Sequence, residues 1–381
     1  METQLAADFN FVPQYQPIYS VEDIAVIAYD SFELSEDKMD KMLLAFSKGR
    51  NTESLFINMT PDQVLAQVEN AIGLEFPLIR KIKEFNIKPS EIYLEISERT
   101  CVRGIDSLST AVEMLREIGF NIALADVGAE SSNLERLGSL RPEIIKINLN
   151  LLKQSIQSRE FQSILEYLKD ISLGLGSELL FEEIGTEIEL HRALDSGARY
   201  LQGNLLGALD SNFIPVKQSE QLLKHFLETF HKEKRKSISK EINFEMNIRS
   251  TVASFPIGMK RRDGRVLVDA PAIFKLSPLI QRIYVTDWEG TQVSPYYERE
   301  GISGFRENMQ NLNKNWSYMP FFYRHVKKAY QNPESWQMSE PYYDRALKER
   351  LVVFSKIIEG QYSIFIDISF TERDSKDSKQ N

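Results

Sequence analysis

Residues 121–150 read NIALADVGAESSNLERLGSLRPEIIKINLN. The segment opens on one apolar run, NIALADV, approaches its end through another, EIIKIN, and carries a helical pattern between them. A short apolar run bounded by polar residues reads as a buried strand, and strand, helix, strand implies parallel pairing across a crossover. Asp126 stands near the end of the first run and Lys146 near the end of the second. Just before that acid lies Ala125, where a site built to hold two divalent cations would want a bridging carboxylate.

The same alternation extends from Gln14 to about Ala208. Its apolar runs are DIAVIAYDSF, SLFINM, EIYLEI, NIALADV, EIIKIN, ELLFEEI and YLQGNLL, and its helical patterns include PDQVLAQVENAIGLEFPLIRKIKEF, GIDSLSTAVEMLREIG and SREFQSILEYLKDISLGLG. Repeated over about 200 residues, this order suits a closed (β/α)8 barrel of the TIM type better than an open sheet. Barrels carry their chemistry at the carboxyl ends of the strands. The polar residues there are Asp30, Asn58, Glu95, Glu98, Asp126, Lys146, Glu182 and Gln202. Any one of them alone reads as a solvated strand end, but eight in register read as a site. Acids with an asparagine and a lysine suit a hard cation and a phosphate ester.

Composition narrows the function further. The 381 residues are 42% hydrophobic and 27% charged, a globular balance with room for two domains. A net charge of -9 argues against a nucleic-acid surface or a broad attachment to acidic lipid, since both need excess Lys and Arg. One cysteine, Cys101, excludes a disulfide framework and a cysteine zinc site and fits a reducing cytoplasm. The four histidines, His191, His225, His231 and His325, are spaced for neither a metal cluster nor a nucleophile pair. No long apolar span and no leader pattern stand out, so a soluble, cytoplasmic protein is expected.

After the alternation, residues 214–255 carry apolar residues at helical spacing followed by the mixed charge run HKEKRKSISKE, which reads as one or two linker helices with a solvated face. From 256 to 371 the text turns aromatic. YVTDWEGTQV reads as a hairpin, RLVVFSKIIEGQYSIFIDI as two strands joined across Glu-Gly, and the whole as a smaller α+β domain. WSYMPFFY, with Asp344 and Asp367, reads either as a ligand pocket or as plain core, and Asp367 equally as an exposed strand residue. Residues 372–381 have a disordered composition. The expected domains are thus 1–213, the linker 214–255, and 256–371.

The first half resembles the EAL domain, the bacterial cyclic di-GMP phosphodiesterase barrel. YQPIYS resembles that family's opening strand, FINMT its Asn-bearing strand, and LEISE its ExTE motif. ADVGAESSNLERLGSLRPEIIKIN is similar to its DDFGTGYSSL…LKID block, and FEEIGTEIEL…GARYLQGNL to AEGVE…QGY. The second half is similar to the PAS/Cache-type domain that follows a degenerate EAL barrel. The resemblance implies Asp30, Asn58, Glu95 and Asp126 as metal ligands for Mg²⁺, Mn²⁺ or Ca²⁺. It implies Lys146 and Glu182 as the catalytic pair on the attacking water, and Gln16, Asn58, Lys146 and Gln202 as ligand contacts. Glu98 would steady the loop after Asp126. A homodimer is implied as well.

Departures from the family pattern fall within the site. The motif's Glu is Asp30, one methylene shorter, and its following Arg is Leu34. Ala125 replaces the first Asp of a pair, Asn148 the Asp of KID, and Gly185 the second Glu of AEGVE. The segment from Asp30 to Asn58 is also short, so part of the barrel wall is expected to be missing. A methyl group cannot bridge two cations, so metal binding is expected to be weak or absent. The leading expectation is a catalytically degenerate EAL protein that acts as a cyclic di-GMP receptor or signalling scaffold. The alternatives are a slow metal-dependent phosphodiesterase giving linear pGpG, and a protein-interaction scaffold that binds no nucleotide and whose partner is unknown.

Overall fold

The structure, a computed structural model, describes residues 11–31, 36–71, 75–97, 103–128, 134–255, 258–301 and 304–370. Glu98, Cys101, Leu34 and the tail from 371 lie outside these described residues. The chain divides into two compact units, Met1–Lys234 and Arg235–Asn381.

Eight strands close the first unit into a barrel in sequence order: β1 (Tyr15–Ser20), β2 (Ala25–Ser31), β3 (Ser54–Met59), β4 (Ile92–Ile96), β5 (Asn121–Val127), β6 (Ile144–Ile147), β7 (Glu178–Phe181) and β8 (Tyr200–Gln202). Neighbours from β2 to β8 pair in parallel. β1 departs from the expected all-parallel order, because it runs antiparallel to both β2 and β8. The cause is local: only Val21–Ile24 separate β1 from β2, too little chain for the crossover that parallel strands need.

Helices cover the barrel. They are α1 (Glu36–Gly49), α2 (Pro61–Glu69), α3 (Pro77–Glu84), α4 (Ile105–Ile118), α5 (Leu134–Leu140), α6 (Leu149–Gln157), α7 (Arg159–Leu175) and α8 (Glu187–Asp195). α1 corrects the expectation of a missing wall. The short Asp30–Asn58 segment still holds a helix, which buries Met39, Met42, Leu43 and Phe46. PDQVLAQVENAIGLEFPLIRKIKEF forms two helices rather than one, because Pro77 is tolerated at the first turn of α3 but not inside a helix. Thr60 and Gln63 close a reciprocal cap at the start of α2, and Thr186 and Glu189 do so for α8.

The segment 214–255 holds a single helix, α9 (Val216–Ala253). Its Leu223, Phe226 and Leu227 join the core of the first unit, and Ile248 and Val252 that of the second. No helix among the described residues is long and apolar enough to cross a membrane.

The second unit has a two-stranded ribbon, β9 (Met259–Arg262) with β10 (Arg265–Val268), and then α10 (Ala270–Leu276). A seven-stranded antiparallel sheet follows, formed by β11 (Ile280–Asp287), β12 (Tyr296–Glu300), β13 (Gly304–Asn308), β14 (Gln337–Met338), β15 (Tyr342–Asp344), β16 (Glu349–Ile358) and β17 (Tyr362–Ser369). α11 (Pro320–Gln331) comes between β13 and β14 in the chain. β16 and β17 are joined across Glu359 (φ 50°) and Gly360 (φ 69°), the left-handed pair that a tight hairpin requires.

Alternate residues of the central strands fill two cores. Ile283, Val285, Val352, Phe354, Ile364, Ile366 and Ile368 enter one, with Ile273 and Phe274 of α10. Tyr284, Val353 and Phe365 enter the other, with Phe322 of α11 and Tyr296. A sheet covered on both faces buries every residue of its central strand, so Asp367 is enclosed rather than exposed. Arg282, its cross-strand partner, lies 3.7 Å from Asp367 and pairs with Asp344 through both terminal nitrogens, at 2.5 and 3.1 Å.

Candidate functional site

A small apolar cluster of Ile18, Ala28, Phe56, Ala123, Ile144 and Leu180, flanked by Tyr93 and Tyr200, packs apart from the main core, with members on every barrel strand. Side chains two residues apart on a strand share a face. Two positions toward the carboxyl end from these residues stand Asp30, Asn58, Glu95, Ala125, Lys146, Glu182 and Gln202. β1 runs the other way, so its counterpart is Gln16, two positions before Ile18. The eight positions form one layer across the barrel mouth, and Ala125 alone brings no polar side-chain atom to it.

Lys146 organises the layer. Its Nζ donates to Asp30 Oδ2 at 2.9 Å and to Glu95 Oε2 at 2.6 Å, and lies 3.3 Å from Glu182 Oε2. Asp30 also accepts from Asn58 Nδ2 at 3.2 Å on Oδ1 and from Gln202 Nε2 at 3.1 Å on Oδ2. Gln202 Nε2 donates as well to Gln16 Oε1, and Gln16 Nε2 to Asn204 Oδ1 and the Gly207 carbonyl, each at 3.2 Å. Among the described residues, Gln202 Oε1 is buried without a hydrogen-bond partner.

Burial sets the charge state. Burial by itself would drag the Lys146 ammonium down, but Asp30, Glu95 and Glu182 outweigh it and hold Lys146 well above the usual lysine range. Burial pushes the Glu95 carboxyl up to about 8 against the pull of Lys146, with Asp30 and Glu182 adding to the rise. Glu182 is raised for the same reasons, with Asp126 and Asp30 as the repelling charges. Three carboxylates around one ammonium carry excess negative charge, and a retained proton is how a buried cluster sheds it.

Asp126 and Asn148 stand to one side of this group. Asp126 sits at a bulge in β5 with φ 57°, and Asn148 Nδ2 reaches its Oδ1 only at 3.5 Å. Asn148 caps α6 through a bond from the Asn150 amide. Gly185 donates its amide to Glu189 Oε2 at 2.9 Å, so a second acid at position 185 would stand against an existing carboxylate. Gly203 backs Gln202 tightly, since a Cβ there would lie 2.1 Å from the Ile184 nitrogen.

Oxygen donors of this kind suit a hard divalent ion. Among the described residues, however, no three His, Cys, Asp or Glu side chains stand where they would hold a metal. The carboxylates that would face an ion face the Lys146 ammonium instead.

Asn204 and Arg282 escaped the sequence reading. Asn204 lies just beyond a strand end, and nothing in its immediate neighbours marks it. Arg282 left a signal, a charge inside the apolar run QRIYV, which can be buried only beside an acid.

The barrel and this layer define the class, and comparison with known proteins agrees. Residues 35–208 match the EAL domain, and residues 213–377 match the EAL-domain associated signalling protein domain. The chain thus carries an EAL domain followed by the signalling domain associated with it. It is 26% identical to the EAL-domain containing protein YkuI of Bacillus subtilis, over 95% of each chain. The crystal structure of YkuI, in complex with substrate c-di-GMP and calcium, shares the fold at a TM-score of 0.82 and 23% identity, covering 97% of this chain and 99% of that one. A probable cyclic di-GMP phosphodiesterase of Escherichia coli, PdeA, is 30% identical over 34% of this chain and 18% of its own length.

Proposed function

We propose that the barrel is a degenerate EAL receptor, which holds cyclic di-GMP without hydrolysing it efficiently. The observation that carries this reading is Ala125, a methyl group in a layer whose other members are polar. Supporting it, Lys146 draws Asp30, Glu95 and Glu182 onto itself, so Mg²⁺, Mn²⁺ or Ca²⁺ would have to compete with a tethered ammonium and is at most a weak ligand. YkuI in complex with c-di-GMP and calcium makes the same nucleotide the natural candidate here. Gln16, Asn58, Lys146 and Gln202 are the groups we assign to its phosphates, with the unpartnered Gln202 Oε1 an acceptor for a bound donor.

Glu182 is the least buried of the three carboxylates on Lys146, which keeps a slow phosphodiesterase as the second reading. On this proposal the domain boundaries are 1–213, 214–255 and 256–371, with a tail at 372–381, and the protein works in the cytoplasm as a homodimer. The test is calorimetric titration with cyclic di-GMP, with and without divalent ions, followed by a product assay on the same sample. Saturable heat without linear pGpG is the expected result. Brisk pGpG release that Glu182→Gln abolishes would replace receptor with enzyme, and absence of heat would leave a scaffold.

A further inference from the structure

Between α1, α2 and α3 of the barrel wall lies an open cavity of about 160 Å³, bordered by Asn58 and Met59 at the end of β3. Met39, Met59 and Leu78, all buried, give it an apolar lining. Thioethers and flat apolar surface suit the faces of an aromatic ring. The polar lining is one-sided. Gln63 and Gln67 are one turn apart on α2, and both border the cavity. Each has committed its carboxamide oxygen: Gln63 Oε1 accepts from the Thr60 amide at 2.8 Å, and Gln67 Oε1 from the Leu78 amide at 2.9 Å. A backbone N–H can bond only the oxygen of a carboxamide, so the orientation of both groups is fixed. Among the described residues neither Nε2 donates to the chain, and N–H is what these two side chains have left to offer.

Charge and size narrow the occupant. Lys81 borders the cavity, and its Nζ already donates to Asp40 Oδ1 at 3.2 Å. Among the described residues no carboxylate lines the cavity, so it favours a neutral acceptor over a phosphate. Its volume exceeds that of a few waters but falls below the roughly 300–1,000 Å³ of sites for drug-sized molecules, which suits a single ring system. Two neighbouring N–H groups call for two neighbouring acceptors on a planar rim. Guanine carries such a pair, N7 and O6, whereas adenine sets an N–H₂ donor beside its N7 and cytosine presents a donor.

We propose that this cavity holds a guanine base, its O6 and N7 edge on the Gln63 and Gln67 amides and its ring against Met39 and Met59. Asn58 belongs both to the cavity wall and to the polar layer of the barrel mouth. The base therefore arrives either on a free nucleotide or as one end of a cyclic dinucleotide held at the mouth. The inference stands on the cavity and not on the receptor reading.

The test is calorimetric titration of the full chain with guanosine monophosphate, with adenosine monophosphate and ribose phosphate as controls. Saturable binding of the guanine nucleotide is expected with a Kd on the order of 0.1–1 mM, roughly tenfold tighter than either control. Gln63→Glu and Gln67→Glu keep the oxygen that each backbone amide uses and replace the N–H donors by a second acceptor. Gln63 is exposed and Glu serves equally in its cap, so that variant in particular keeps its fold. Each change is expected to weaken guanine binding roughly tenfold with no fall in unfolding temperature. Cyclic di-GMP separates the two sources: displacement of the mononucleotide assigns the base to the dinucleotide, and simultaneous binding assigns it to a free nucleotide. Guanine binding that persists where cyclic di-GMP gives no heat supports the cavity and ends the receptor reading. Equal binding of the three probes, no saturable heat with guanosine monophosphate, or unchanged affinity in the Gln63→Glu, Gln67→Glu double variant would overturn the proposal.

Discussion

Lys146 holds together three acids that would otherwise repel one another without solvent to screen them. Removing the cation is therefore worse than never having had the pair. Lys146→Met is expected to cost about 3–5 kcal/mol in denaturant unfolding, because it strands buried carboxylates rather than deleting one favourable contact. Glu95 makes the same cluster sensitive to pH. Its carboxyl is raised from 4.5 to about 8 on folding, so between those values the folded chain keeps a proton that the unfolded chain has released. Stability from this group is thus full below pH 4.5 and is lost as pH climbs through 8. Asp367, raised to about 7 by burial against the pull of Arg282, slopes the same way. Comparing the wild type with Glu95→Gln isolates one contribution: the variant is expected to lose about 1–3 kcal/mol less between pH 5 and 8. Equal slopes in the two proteins would refute the assignment. At this scale the sequence exposed its polar strand ends well. It gave no sign that they would close on a lysine, since Lys146 is 116 residues from Asp30 and 51 from Glu95.

Strands and caps decide where those side chains are held. Short apolar runs made β3 to β7 legible, because a strand end is marked by where its run stops. Direction was not legible for β1, where the length of one turn overrode the pattern of the whole domain. Apolar spacing likewise joined α2 to α3, although Pro77 separates them. The most constrained backbone near the site is Gly203, at φ 150° and against the main chain of Ile184. That strand end is also held by hydrogen bonds from Ile184 N to the Gln202 carbonyl and from Leu205 N to the Ile184 carbonyl, both 3.0 Å. Gly203→Ala is expected to destabilise the barrel by about 3 kcal/mol or more and to displace Gln202, measured as a fall in urea midpoint together with lost nucleotide binding. A variant with an unchanged midpoint would show that the contact can relax.

For the molecule as a whole, each unit has its own core, the barrel's lying between strands and helices and the second unit's on the two faces of its sheet. A ligand that binds only the folded barrel should stabilise it by mass action. At a hundredfold excess of cyclic di-GMP over its Kd, the gain is expected to be about 2.7 kcal/mol. Calorimetric scans should show this as a higher unfolding temperature, and one unmoved by saturating nucleotide would end the receptor reading. Charge and composition had already turned attention away from nucleic acid. They were silent on the second unit's buried Arg282, Asp344 and Asp367, because whole-chain charge and composition do not say which charged residues a sheet covered on both faces will enclose.

The sequence by itself determined the barrel, the order of its strands and the absence of a carboxylate at position 125, because strand periodicity and side-chain identity are local properties. Only the tertiary structure decided that β1 turns back, that Asp367 is enclosed, and that Lys146 reaches Asp30, Glu95 and Glu182. Those outcomes depend on barrel closure and on sheet coverage, which bring distant charges together in a medium where each must find its counterpart.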